Sequence, residues 1–87
     1  MQKKYAYQQT QKTYVRRQSR KAVEFYLSFG DVKRASEYTR GHHRARLIDR
    51  HRDWVAQAIR TGMPVQFSVV EKYPELIILK LAHENKN

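Results

Sequence analysis

Gly30, Gly41 and Gly62 are the only glycines in this chain of 87 residues, and each closes a stretch of helical hydrophobic spacing. Glycine tolerates the positive φ with which many helices end. Asp31 follows Gly30 at once, where a new helix needs a capping oxygen. Pro64, just after Gly62, prevents the third stretch from resuming. At this length there is room for one core, not two. The chain has no cysteine, so neither a disulfide framework nor a Cys-based zinc site is available.

The segments between these stops can be read in turn. Residues 1–12 are rich in Gln, Lys and Thr, with Lys3, Lys4, Tyr5 and Tyr7 interleaved, and read as a basic flexible arm. Thr13 is the N-cap expected for a first helix ending near Phe29, with Val15, Ala22, Phe25, Tyr26 and Phe29 on its apolar side. A short second helix is expected from Val32 to Tyr38, with Val32, Ala35, Ser36 and Thr39 on one side. The third runs from His43 or Arg44 to Arg60 or Thr61. Its stripe of Leu47, His51, Trp54, Val55 and Ala58 makes Trp54 the expected largest core residue. His51 reads as a hydrogen-bonded core or boundary residue rather than a ligand.

Beyond Pro64 two readings stand. Val65, Phe67 and Val69 alternate as in a strand, and with Ile77, Leu79 and Leu81 they allow a β-hairpin wing. Ser68 with Glu71 fits a capping box, and Pro74 with Glu75 fits a first helical turn. Two short helices are the favoured reading, with Leu76, Ile78, Leu79 and Ala82 turned inward. The expected fold is therefore all-α, with a three-helix core over residues 13–62. Residues 63–87 complete the packing or form a homodimer surface.

The charge is unevenly spread. The net charge is +10, and all of the excess lies before residue 63; the last 25 residues carry three bases and three acids. Solubility alone gives no reason for such asymmetry, whereas a basic binding surface beside a neutral segment does. Arg dominates from Arg16 to Arg60, and its planar fork grips phosphate or a guanine edge bidentately. Apolar residues at 40 % argue against disorder. The longest strictly apolar run, Leu76 to Leu79, is far shorter than the roughly 20 residues of a membrane span. The N-terminus lacks the apolar stretch of a secretory signal. A cytoplasmic location, nucleoid-associated if the protein is bound to DNA, is the corresponding expectation.

Residues 31–41, Asp31-Val32-Lys33-Arg34-Ala35-Ser36-Glu37-Tyr38-Thr39-Arg40-Gly41, followed by Leu47 and Ile48, resemble the helix-turn-helix class of DNA-binding regulators. In that class a small residue lets the two motif helices touch, a glycine follows in the turn and an aliphatic residue anchors the second helix. Ala35, Gly41 and Leu47 or Ile48 match. Thr39 stands where the class usually has its glycine, so the turn here is two residues longer. The resemblance implies an all-α helix-turn-helix core and a transcriptional regulator that inserts the start of its second motif helix into the major groove of double-stranded DNA.

On that reading Arg44 and Arg46 meet base edges, while His42, His43 and Arg40 meet bases or phosphate, with Arg50 further along the same helix. Lys33 and Arg34 hold phosphate, and Arg16, Arg17, Arg20 and Lys21 position the backbone. Asp49–Arg52 and Arg50–Asp53, each spaced i,i+3, neutralise the helix towards its end. Other classes have less support. His42 and His43 are adjacent and do not suit one ion, and no third ligand is suitably spaced, so no metal is expected. No phosphate loop or nucleophile elbow is present, and no catalytic residue, cofactor or small-molecule ligand is indicated. A basic protein-binding inhibitor or adaptor of a nucleic-acid enzyme, or an RNA-binding protein, remains as the alternative.

Overall fold

The computed structural model describes residues 5–85, and these form five α-helices and no strand. The helices are α1 (Gln11–Ser28), α2 (Val32–Thr39), α3 (Arg44–Arg60), α4 (Phe67–Val70) and α5 (Pro74–Asn85). A 3-10 turn, Ala6–Gln8, precedes them. α1 starts earlier than the sequence suggested. Thr10, not Thr13, is its cap, and the Thr10 hydroxyl accepts from the Thr13 amide at 3.3 Å. Asp31 caps α2 as expected, taking the Arg34 amide at 3.1 Å.

α1, α2 and α3 end in the same way. The glycine amide returns to the carbonyl three residues back, and the next amide returns to the one five back: Gly30 to Leu27 and Asp31 to Tyr26, Gly41 to Tyr38 and His42 to Glu37, Gly62 to Ile59 and Met63 to Ala58. This is the Schellman arrangement, and the glycines take φ near +80°.

The main core lies between the second half of α3 and the C-terminal helices. Val55, Ala56, Ala58 and Ile59 pack against Val65, Val69, Val70, Tyr73 and Leu76. Val69 and Val70 are both almost fully buried, which explains why the hairpin does not form. A strand would send these neighbours to opposite faces, whereas one helical turn turns both into the core. Each buried valine contributes about 1.5–3 kcal/mol. The Ser68–Glu71 box is not made, because α4 already begins at Phe67 with Gln66 before it. On α5, Leu76 is buried, but Ile78 is 71 % exposed and Ala82 also faces outward.

A smaller cluster of Tyr14, Val15 and Leu47 ties the start of α1 to α3. The rest of α1 runs outward, and α2 folds back along it. Phe25 and Phe29, expected inside, are 60 % and 59 % exposed because little besides α2 covers this end. Val32 is exposed as well. The molecule is correspondingly long, 52 × 28 × 17 Å. Its radius of gyration is 15.1 Å, against about 12 Å for a compact chain of this size. Ala35 is buried on α2, but in a groove shared with Val23 and Leu27 of α1. The small residue thus admits α1 rather than α3.

The N-terminal segment is docked over its described part. Lys3 and Lys4 lie outside the described residues. Tyr7 packs on the main core, and the carbonyls of Ala6 and Gln9 accept from Nε2 of His51 at 3.1 and 2.8 Å. His51 is fully buried, and its Nδ1 lies 2.7 Å from the Tyr73 hydroxyl. Two carbonyls at Nε2 require the proton there, so Nδ1 accepts from Tyr73. One histidine therefore joins the N-terminal segment, α3 and the lead-in to α5.

Candidate nucleic-acid interface

The basic residues fall into three sets, separated by the helix to which each belongs and the side it occupies. The first gathers at the α2–α3 junction. Arg40 closes α2, Gly41 turns the chain, and His42 and His43 lead into α3. Arg40, His42, Arg44 and Arg46 are exposed. His43 is half-buried, stacked on Tyr38 with ring centres 4.2 Å apart, and its Nε2 lies 3.1 Å from Glu37 Oε1. Arg46 donates from Nη2 to the Tyr38 hydroxyl at 2.8 Å. Tyr38 also stacks on Tyr26 of α1 at 5.9 Å. One tyrosine thus fixes the ring of His43 and the fork of Arg46 against the α1–α2 hairpin.

The start of α3 differs electrically from the starts of α1 and α2. Its N-cap residue, His43, makes no side-chain cap, whereas Thr10 and Asp31 cap α1 and α2; none of the three has an acid in its first turn. The Arg44 amide donates to the Gly41 carbonyl at 3.2 Å, and the positive end of α3 lies within a few residues of the exposed Arg40, Arg44 and Arg46. The nearby acids are engaged: Glu37 with His43, and Asp31 with Arg34 at 3.5 Å. Among the described residues no carboxylate pairs with Arg40, Arg44 or Lys33. Arg34 also lies over the Tyr26 ring at 5.8 Å.

The second set is on the outside of α1. Arg16, Arg17 and Arg20 are exposed, and Arg20 pairs with Glu24 at 3.5 Å. The third set is separate from both. Lys21 of α1 and Arg50 of α3 line a groove of about 850 Å³ between the two helices and the N-terminal segment. Asp53 lines it too, but the expected Arg50–Asp53 pair is not made. The other expected pair is present, Arg52 meeting Asp49 at 3.1 Å and also Glu75 at 3.3 Å.

Trp54 opens on this groove and is 56 % exposed, which corrects its assignment to the core. The buried side of α3 is centred on His51, Val55 and Ile59, and Trp54 sits a quarter-turn from Val55, at the margin of the stripe. Tyr5 and Tyr7, stacked at 5.9 Å, form the facing wall. The apolar periodicity of α3 gave no sign of this groove, because its walls come from three distant parts of the chain. No helix among the described residues is long and apolar enough to cross a membrane. Comparison with protein-family models, curated proteins and solved structures returns no match.

Proposed function

We propose that this protein binds double-stranded DNA and acts as a small transcriptional regulator, with the start of α3 as the element that enters the major groove. The observation that carries the reading is the electrical character of that start. Arg40, Arg44 and Arg46 are exposed around a helix start that no side chain caps, and the neighbouring acids are already paired. Arg44 and Arg46 read base edges, and Arg46 is steadied for that task by the Tyr38 hydroxyl. Lys33, Arg40, Arg16 and Arg17 hold phosphates to either side. The α2–α3 pair departs from the usual helix-turn-helix in being joined by Tyr38, Glu37 and His43 rather than through Ala35. The exposed Ile78 and Leu81 of the neutral α5 supply a homodimer surface for two half-sites.

The test is binding to duplex DNA at two salt concentrations, with selection from a genomic library. With these four phosphate contacts, affinity falls about 150-fold between 50 and 200 mM salt. Replacing Arg44 and Arg46 with Ala removes sequence preference more than total affinity. Absence of duplex binding at low salt overturns the proposal. In that event, binding to structured RNA or to an acidic protein identifies which alternative class replaces it.

A further inference from the structure

We infer that the groove between α1, α3 and the N-terminal segment is a binding site for one nucleotide unit, an unpaired base together with its phosphate. Its walls join exposed aromatic rings to two cations. Trp54 and Tyr5 are 56 % and 69 % exposed, and Tyr7, stacked on Tyr5, lines the groove with them. Lys21 and Arg50 stand on the two helices that border these rings. Neither cation has a carboxylate partner among the described residues, although Asp53 lies in the same groove.

A base stacks on an aromatic face whatever its sequence, and a nearby cation takes its phosphate. The Asp53 carboxylate accepts from an exocyclic amino group, as acids do with cytosine. The groove's volume of about 850 Å³ lies within the range of about 300–1,000 Å³ typical of small-ligand sites. Purely apolar ligands would leave three charges without partners, and a duplex offers no base face to stack on. The ligand is therefore a free nucleotide or a nucleotide of a single strand. This inference is independent of the duplex reading, whose carrying residues are Arg40, Arg44 and Arg46 at the start of α3.

Trp54 is the only tryptophan, so its fluorescence reports on the groove alone. The protein is titrated with adenosine monophosphate, with an oligodeoxyadenylate octamer and with ribose 5-phosphate, which lacks a base. The first or the second quenches Trp54 saturably, and ribose 5-phosphate does not. If monophosphate and octamer bind alike, the ligand is a free nucleotide; octamer binding at least about tenfold tighter identifies a single strand. Lys21→Gln and Arg50→Gln each weaken binding about tenfold, while Lys72→Gln, exposed and outside the groove, leaves it unchanged.

Trp54→Leu, followed by the anisotropy of a labelled octamer and by calorimetry with the monophosphate, loses about tenfold or more in affinity for the ligand that bound. The substituted side chain is exposed, so the fold is kept. Trp54→Leu leaves duplex binding intact, and Arg44→Ala leaves nucleotide binding intact, so failure of one proposal is distinguishable from failure of the other. No saturable quenching by either nucleotide probe, equal quenching by ribose 5-phosphate, or an equal loss in Lys72→Gln overturns the inference.

Discussion

A buried imidazole with both nitrogens engaged by neutral groups is held in its uncharged form. His51 donates from Nε2 to two carbonyls and accepts at Nδ1 from Tyr73, with the Tyr14 ring 4.8 Å away. Burial pushes its pKa below the ordinary 6.5, and the two backbone bonds oppose that only in part. The unfolded chain gains a proton at this side chain as pH falls through about 6.5, whereas the folded chain resists until lower pH. The associated stability is complete above the unfolded pKa and is lost below it, by at most about 1.4 kcal/mol per pH unit. Urea unfolding at pH 7.5 and 5.5 should show a lower midpoint at the acid pH. His51→Gln should be less stable by about 1–3 kcal/mol at the higher pH and show a smaller fall between the two. An equal fall in both proteins would assign the slope to other groups.

At the scale of the helices, what was legible in the sequence was what acts locally. Gly30, Gly41, Gly62 and Asp31 stop and start helices through bonds within a few residues, and α2 and α3 lie where those residues put them. The faces of the helices were harder to read. Periodicity locates an apolar stripe but not which part of it another element covers. Phe25 and Phe29 sit on a stripe whose far end has only α2 beside it, and Trp54 sits at the edge of one. The Tyr5–Tyr7–Trp54 groove was invisible for the same reason, since nothing local joins its walls. Among the stops, Gly41 sets the angle at which α3 leaves α2. It holds φ at +78°, and no atom stands within 4 Å of where a Cβ would be. Gly41→Ala should therefore cost only the backbone term, about 1–2 kcal/mol, read as a shift of the urea midpoint at unchanged slope. A much larger loss would mean that the α2–α3 junction is tighter than these distances show.

Over the whole molecule, charge and apolar surface are segregated along the chain. The helices up to α3 carry the positive excess, while α4 and α5 belong to the neutral third and to the main core. α5 runs beside the second half of α3, meeting Arg52 through Glu75 and coming close to Ile59 and Gly62 near its C-terminal end. Its outward side bears Ile78 and Leu81, 71 % and 53 % exposed, with no element among the described residues over them. Pairing two copies there would leave both α3 starts unobstructed. α3 is 17 residues, which places its start about 25 Å from its end. Ile78→Glu with Leu81→Glu changes only exposed positions, so the helical fold and its thermal stability should persist. Sedimentation equilibrium should then show the parent at twice the 10.5 kDa chain mass and the double variant as a monomer. Duplex affinity should fall about a hundredfold or more as the second half-site is lost. A parent that sediments as a monomer, or a variant that keeps its affinity, would place the dimer surface elsewhere or remove it from the mechanism.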